Sequence, residues 1–470
     1  MELVGASDEL ISKAWVAEVE RIVGARDGDG DGGDDGGGGV SDGRAARRVP
    51  EAVVKAKTEA YAPQIISLGP YYHRALKDAP VGPLHHGLSI ISQMEMYKLK
   101  CLKDATRNDS DLIHNFLENT VQANTSKVEQ FYNWKFDTED GPRKFGWMIT
   151  VDAFFLYHFL KNACDDNVGP DDNRSNRSRH HSAMGSIKCD IVKLENQLPL
   201  FLIHQVYRTL NVDQGFDEFL RTRMASLCSF EKFMFSSVEN EGEEQHLLAY
   251  MHKCVSSFLE MEGEVQPNCC QGIQSAIGDA ISRALRSCCF RQAETGPSGF
   301  KVNARKLVKH GITLTSFTLG KSMRQIRFDR YSGTLYLPRL TVTDMFTEVV
   351  LRNLLALEFI ETSRGTVITQ YVELMKSLID TAKDVKVLRK CGIIVPGSSM
   401  ISDEYIAGMW KDICKPFFAA SVHPSLHLDQ IKESLHRNYY LVKGKAVCLE
   451  KSICLLKGPI RLVRGIFMLG

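Results

Sequence analysis

Apolar residues recur every three or four positions along most of this chain, which is the period of an amphipathic α-helix. Thr341 with Asp344 resembles a capping box ahead of one such segment, and Gly392 lies where another should end. The three clearest segments are 345–357, 368–388 and 187–198. Strand and helix patterns do not alternate, so the sequence does not predict a parallel-sheet enzyme fold. We predict a mainly α fold that forms one large helical domain.

The most apolar run of the chain, residues 147–160, is interrupted by Asp152 and His158. A helix that crosses a bilayer needs roughly 18 or more apolar residues with few charges. This run is shorter than that, so we predict that it forms a helix in the core of the protein.

One region departs from the helical period. Residues 326–331 and 334–337 alternate between polar and apolar side chains on either side of Ser332-Gly333. Alternation with a period of two indicates strands, and a glycine between them supplies the geometry of a tight turn. We predict a small antiparallel β-hairpin with a two-residue turn.

Composition changes sharply near both ends of the chain. Residues 1–26 include a short amphipathic helix, and residues 27–48 are a flexible linker, because 27–39 contain only glycine and aspartate. The main domain covers 49–440. The final segment, 441–470, carries six lysines and arginines against one glutamate. Such a basic amphipathic tail suits the surface of an anionic membrane, but we favour an exposed or partly docked tail, because surface amphipathicity is common.

Charge and cysteine content exclude several classes of protein. Lysine plus arginine total 58 against 57 acidic residues, whereas nucleic-acid binders usually carry a basic excess, so no nucleic-acid partner is expected. The 13 cysteines contain no pair spaced for zinc, and we expect reduced thiols. The segment from Asp27 resembles a calcium loop but has Gly38 where the bidentate glutamate is required. We expect neither metal nor cofactor, and the N-terminus does not resemble a signal peptide. A cytoplasmic or peripheral membrane location is therefore predicted.

A polar triplet, Glu195-Asn196-Gln197, interrupts an apolar stretch immediately before Pro199. Proline cannot donate a backbone hydrogen bond and breaks a helix, which leaves carbonyl groups that need donors. Asn196 and Gln197 can supply those donors. Asp152 lies among apolar residues, so its carboxylate likewise needs hydrogen-bond partners inside the protein. We interpret these five residues as a structural polar motif, because buried polar groups usually satisfy one another.

A catalytic alternative uses the same residues. If Asp152 and Glu195 faced one cleft, two carboxylates with different pKa values could act as acid and base, with His158 beside them. The sequence contains no established catalytic motif that would support this, and no catalytic residue is assigned.

A series of motifs in fixed order covers about 49–440. They are Val49-Pro50, Ala60–Pro63, Ile65–His73, Met94-Glu95 with Lys98, Val151–Phe155, Asp190 with Leu194–Pro199, Ala304–Gly311, Ile326–Pro338, Leu351–Glu358 and Tyr371–Val385. Together they resemble the plant-specific family called domain of unknown function 247. The resemblance implies a mostly helical single domain with no established catalytic residues. Some grass members are proposed male determinants of self-incompatibility, acting in pollen recognition beside small secreted proteins.

The resemblance also implies a C-terminal anchor, because members commonly end in a hydrophobic, membrane-spanning helix. This chain departs from that pattern, since 441–470 is charged throughout. The leading hypothesis is a non-catalytic interaction or recognition protein whose unidentified partner is a protein, such as a small secreted peptide. The alternatives are a hydrolase that uses buried carboxylates and a peripheral membrane protein held by its basic tail.

Overall fold

The protein is described from a computed structural model. It describes residues 48–73, 86–133, 141–162, 184–211, 215–230, 245–256, 303–317, 326–329, 331–361, 363, 366–398, 400–413, 434–435 and 438–439. The chain divides into two compact units. Unit 1 comprises Met1–Val255, Thr341–Ile368 and Lys415–Ala420, and unit 2 comprises Ser256–Leu340, Thr369–Cys414 and Ser421–Gly470.

Helices dominate the described residues, so the predicted mainly α class is confirmed. The α-helices are α1 Glu51–Ala56, α2 Pro70–His73, α3 His86–Thr106, α4 Ser110–Phe116, α5 Thr125–Tyr132, α6 Gly141–Asn162, α7 Leu200–Leu210, α8 Phe216–Ser226, α9 Leu247–Ser256, α10 Ala304–Lys309, α11 Asp344–Ile360, α12 Val367–Leu378, α13 Ala382–Lys390 and α14 Asp403–Ile413. The strands are β1 Thr313–Phe317, β2 Arg327–Asp329, β3 Thr334–Pro338, β4 Leu340–Val342 and β5 Ile394–Pro396. Residues 184–191 are also helical.

The core of unit 1 is built around α6, which contacts α3 and α7. Its central residues Val151, Phe154 and Phe155 have no exposed surface. A helix that is apolar on nearly all sides must lie inside a protein or a membrane. Among the described helices, none combines the length and the apolar character needed to cross a bilayer. The prediction of a core helix at 147–160 is therefore confirmed.

Two of the predicted long helices are interrupted. The helix expected over 187–198 ends at Ile191, and the following residues turn before α7 begins after Pro199. The segment 368–388 forms α12 and α13 rather than one helix. The break comes where the carboxylate of Asp384 accepts hydrogen bonds from Asp380 N and Thr381 N. A side chain that replaces helical hydrogen bonds allows the chain to start a new helix.

The start of α11 also differs from the prediction. The helix begins at Asp344 with Thr343 as its N-cap residue, and no cap side chain bonds the first turn. Instead, Thr347 Oγ1 accepts the Thr343 N–H at 3.0 Å and contacts Thr341 O at 3.2 Å. The capping box expected from Thr341 and Asp344 is therefore wrong, because a threonine in the first turn reaches back to the backbone ahead of the helix.

Unit 2 contains a three-stranded sheet of order β1-β3-β2. Strands β2 and β3 are antiparallel with Phe328 opposite Leu335, which confirms the predicted hairpin. Four residues, 330–333, connect the paired strands instead of two. Asp329 accepts hydrogen bonds from Tyr331 N and Ser332 Oγ in that connection, which lengthens the turn. Strand β1 pairs parallel with β3, and the sequence pattern did not reveal this pairing.

Several predicted elements lie outside the described residues. These are the N-terminal helix of 1–26, the linker up to residue 47 and the basic tail 441–470. The domain limits of 49–440 stay a prediction.

Candidate functional site

Two of the polar residues that the sequence singled out, Asp152 and Asn196, bond to a short and mostly buried stretch of backbone, residues 64–69, which we call the buried segment. It belongs to neither a helix nor a strand, yet Ile66 and Leu68 are each only 1% exposed. Backbone N–H and C=O groups that leave water must find partners elsewhere. In this segment the partners are side chains from distant parts of unit 1.

Asp190 holds the first half of the buried segment. Its Oδ1 accepts a hydrogen bond from Gln64 N at 3.0 Å, and its Oδ2 accepts from Ile65 N and Ile66 N at 2.7 and 2.9 Å. The ammonium group of Lys193 lies 2.8 Å from Oδ1 and balances the buried charge. Asp190 lies on the helical stretch 184–191, so one helix end fixes three consecutive amides.

Asn196 holds the second half of the buried segment. Its Oδ1 accepts from Leu68 N at 2.6 Å, while its Nδ2 donates to Ile66 O at 3.0 Å and to Asp190 O at 2.9 Å. A primary amide offers an acceptor and two donors, and all three functions are used here. Asn196 therefore replaces the neighbouring strand that this piece of backbone lacks.

Gln197 satisfies the chain around the helix break. Its Nε2 donates to Ile191 O at 2.7 Å and to Lys193 O at 2.8 Å, and its Oε1 accepts from Leu248 N at 3.0 Å. Pro199 occupies the N-cap position of α7 with an extended ψ of 125°. The carbonyl groups at the end of the 184–191 helix thus receive their hydrogen bonds from a side chain, since the helix does not continue to supply them.

Asp152 projects from the middle of α6 to the end of the buried segment. Its Oδ2 accepts from Gly69 N at 2.8 Å, and its Oδ1 lies 2.7 Å from the ammonium group of Lys98. Lys98 has no exposed side-chain surface and also contacts Glu95 at 2.9 Å and Ser67 O at 2.6 Å. One buried ammonium group therefore donates hydrogen bonds to two carboxylates and one carbonyl.

Burial governs the protonation of this cluster. It raises the pKa of Asp152 to about 6; Lys98 opposes the shift and the nearby Glu95 adds to it. Burial would also lower the pKa of Lys98, but the attraction of Asp152 and Glu95 raises it above its ordinary value. The lysine is thus held in its charged form, while the carboxylate beside it has an affinity for protons close to neutral pH.

Gly69 allows the chain to pass close to this cluster. Its φ of +70° lies in the left-handed region, and an added Cβ would stand 2.5 Å from Tyr132 Oη. Tyr132 in turn donates its hydroxyl to Gln197 O at 2.9 Å. The backbone at Gly69 thus has room for a hydrogen atom only, and a tyrosine from α5 closes the site.

Glu195 bonds to both Val49 and Tyr72, near the start of the described chain. Its Oε1 accepts from Val49 N at 2.7 Å, and its Oε2 accepts the hydroxyl of Tyr72. Burial, followed by the hydrogen bond and the charge of Glu195, raises the pKa of Tyr72 above its ordinary value. The carboxylate therefore ties the start of the described chain to α2.

His158 projects from a different side of α6 than Asp152 does. It lies six residues after Asp152 on α6, which places the two side chains about 120° apart around the helix and about 9 Å apart along its axis. Its ring nitrogen Nε2 is 2.9 Å from Asn162 Nδ2, and burial lowers its pKa. Asp152 and Glu195 each use both carboxylate oxygens on donors of the chain itself.

Sequence reasoning missed several members of the network as site residues. Asn353, on the apolar helix α11, accepts from Leu194 N at 2.9 Å and donates to Ala60 O at 2.8 Å. Asp190, Lys193 and Lys98 were equally absent from the predicted motif. The usable signal was a polar side chain inside a run of apolar residues, which had identified Asp152 and the Glu195–Gln197 triplet but not these residues.

Metal and thiol chemistry find little support in the described part of the chain. No group of three histidine, cysteine or acidic side chains is placed to hold a metal ion there. The described cysteines are 101, 189, 228, 254 and 391, and none forms a disulfide. Burial raises the pKa of Cys101 and Cys228 to about 12, so these thiols are poor nucleophiles. The adjacent cysteine pairs at 269–270 and 288–289 lie outside the described residues.

Comparison with known proteins identifies relatives in plants. The family described as a plant protein of unknown function, domain of unknown function 247, matches residues 47–452. One UPF0481 protein of Arabidopsis thaliana is 24% identical over 458 residues, which cover 83% of this chain and 81% of the relative. A second UPF0481 protein of the same plant is 23% identical over 384 residues, which cover 78% of this chain and 72% of the relative. No solved structure matches the chain.

Proposed function

Because the chain belongs to the plant family called domain of unknown function 247, we propose that it is a non-catalytic protein that binds a protein partner. In this proposal the buried network of unit 1 is the scaffold that holds the binding surface. The setting we propose is pollen recognition, with a small secreted protein or peptide as the partner.

One observation carries the proposal. All four oxygens of Asp152 and Glu195 accept hydrogen bonds from the chain itself, and these residues are only 1% and 7% exposed. An acid or base must come within hydrogen-bond reach of the proton that it transfers to a substrate. Carboxylates that are fully used on backbone amides, a lysine and a tyrosine support a structural role instead.

The test compares the wild-type chain with the double variant Asp152→Asn, Glu195→Gln, which retains side-chain shape. Each full-length protein, immobilised at equal amounts, is incubated with anther and pollen extract, and the bound proteins are identified by mass spectrometry. Thermal unfolding first establishes that the variant is folded at the temperature of the assay. We expect both proteins to retain the same specific partner, because neither carboxylate touches it.

Two results would contradict this proposal. Repeated recovery of nothing beyond the proteins bound by an unrelated immobilised protein would remove the binding role. A hydrolytic activity that is present in the wild type and absent from the folded double variant would restore the catalytic alternative.

A second candidate function is peripheral membrane association, and the basic composition of 441–470 favours it. Each lysine or arginine near an anionic surface adds roughly 1 kcal/mol of binding free energy. Co-sedimentation with vesicles that contain phosphatidylserine, with and without 441–470, tests this role. Equal binding of both chains would remove the tail from consideration.

A further inference from the structure

Unit 2 contains a groove of about 470 Å³ that is separate from the buried network. It lies between the last turns of α13, the chain around β5 and the first residue of α14. Its lining residues are Arg339, Lys386, Arg389, Lys390, Gly392, Val395, Pro396 and Asp403. The volume falls within the range of about 300–1,000 Å³ that is typical of ligand sites. The lining differs from that of an ordinary small-molecule pocket, because half of its residues are cationic.

The positive charge of this groove is a local property. The whole chain is nearly neutral, with 58 basic and 57 acidic residues, whereas the groove has four cations and one carboxylate. Part of this charge has a structural explanation, because Arg389 and Lys390 lie in the last turn of α13, where cations stabilise the helix dipole. Lys386 lies one turn earlier, and like charges four residues apart on a helix repel each other. The dipole therefore does not explain the pair Lys386 and Lys390.

The groove already holds one carboxylate. Arg389 Nη1 lies 2.6 Å from Asp403 Oδ1, an ion pair formed at the edge of the groove. Lys386 and Lys390 are both exposed, and within the described residues neither forms an ion pair. Two ammonium groups thus remain available on the same face as a guanidinium group that binds an acidic side chain.

We propose that this groove docks an acidic segment of the partner protein, a peptide stretch with at least two carboxylates. Lys386 and Lys390 would receive those carboxylates, while Val395 and Pro396 offer half-buried apolar surface to the aliphatic parts of the peptide. A peptide fits the charges better than a phosphate group, because Asp403 would repel a dianion more strongly than single carboxylates that can spread along the groove. The inference rests on the proposed function and adds that the protein partner binds through an acidic segment.

The test measures binding of a fluorescein-labelled hexaglutamate peptide to the full-length chain by fluorescence anisotropy. The variant Lys386→Glu, Lys390→Glu reverses the two available charges. The matched control, Lys306→Glu, Lys309→Glu, makes the same change of net charge at two exposed lysines on α10, outside the groove. We expect the groove variant to bind at least about tenfold more weakly and the control to bind nearly as the wild type does, because exposed charges act over about 8 Å at physiological salt.

A loss of peptide binding could also come from misfolding, so a second variant is chosen that should increase the affinity for the peptide. Asp403→Asn takes the one negative charge out of the groove and releases Arg389, so we expect the peptide to bind several-fold more tightly. General damage to the fold would not strengthen binding. If the charge reversal prevents folding, Lys386→Gln, Lys390→Gln replaces it, with the same direction expected.

Several results would overturn the inference. The wild type could fail to bind the peptide, both lysine pairs could have equal effects, or Asp403→Asn could leave the affinity unchanged or weaken it. Inorganic phosphate could also displace the peptide far more effectively than glutamate at matched ionic strength, which would make this a phosphate site. Failure here leaves the capture of a partner by the whole chain intact. Conversely, capture that persists in the Lys386→Glu, Lys390→Glu variant shows a partner that docks elsewhere.

Discussion

Removal of the Asp190 carboxylate tests the role of the network most directly. The variant Asp190→Ala deprives Gln64, Ile65 and Ile66 of the acceptor for their amides and leaves the buried ammonium group of Lys193 without its counter-charge. Two of the three donors are at least half buried. A buried donor without a partner costs about 1–3 kcal/mol. We therefore expect the local opening free energy of the buried segment to fall by about 3 kcal/mol or more.

Hydrogen–deuterium exchange followed by mass spectrometry measures this loss where it occurs. Since about 1.4 kcal/mol corresponds to a factor of ten, the amides of 64–66 should exchange about a hundredfold faster in the variant. A second variant, Lys193→Met, and the double variant complete a thermodynamic cycle. The double variant should cost less than the sum of the two single variants, because it leaves no unpaired buried ammonium group.

The control for this experiment is Asp109→Ala. Asp109 is the exposed N-cap residue of α4 and accepts one hydrogen bond, from Leu112 N at 3.0 Å. Its loss should cost about 1 kcal/mol and leave the exchange of 64–66 unchanged. If folded Asp190→Ala protein exchanged these amides within about threefold of the wild-type rate, side-chain acceptors would not be what protects them.

Three further predictions concern the neighbouring cluster. Gly69→Ala should destabilise unit 1 by about 2–4 kcal/mol, because the alanine would have a positive φ and its Cβ would clash with Tyr132. The control Gly311→Ala also has a positive φ, +80°, but open space around it, so it should cost only about 1 kcal/mol. Equal urea midpoints for the two variants would contradict this prediction. Lys98→Met should cost about 3–5 kcal/mol in urea unfolding because it leaves a buried carboxylate unpaired, and a loss below about 1 kcal/mol would show that the charges are solvated. In the folded state the pKa of Asp152 is about 6, above its ordinary value of 3.8. Between pH 3.8 and pH 6 the folded state therefore binds more protons at Asp152 than the unfolded state does. The contribution of Asp152 to the free energy of unfolding thus falls as pH rises through this range. Asp152→Asn should abolish that slope in unfolding measured from pH 4 to 7, and an unchanged slope would assign the titration to another group.

The helical pattern was readable because it is local. Apolar spacing identified the α6 core over 147–160, and alternation identified the β2–β3 hairpin. Both signals arise from which face of an element must avoid water, a property of neighbouring residues. The same signal failed at 368–388 and 187–198, where the spacing continued but the helix did not. In the first segment the carboxylate of Asp384 bonds the amides at the break, and in the second the side chain of Gln197 bonds carbonyls at and just after the end of the helix.

The candidate site shows the same division. The sequence identified Glu195, Asn196, Gln197 and Asp152 as polar residues in apolar surroundings, and Pro199 as a helix breaker. The sequence did not show which groups these side chains would bond. The hydrogen bond between Asn196 and Leu68 spans 128 residues of the chain, and the one between Asn353 and Ala60 spans 293. Partners that far apart in sequence leave no periodic trace.

The sequence by itself determined that this protein is mainly helical, that it belongs to a plant family and that Asp152 and the Glu195–Pro199 stretch are set apart from their apolar neighbours. Tertiary structure alone decided what those residues do. It brings the buried segment 64–69 to a place without a neighbouring strand, and its amides must then bond to whichever side chains lie there. In the groove of unit 2, the three cations of α13 are neighbours on one helix, but only folding brings Arg339 beside them.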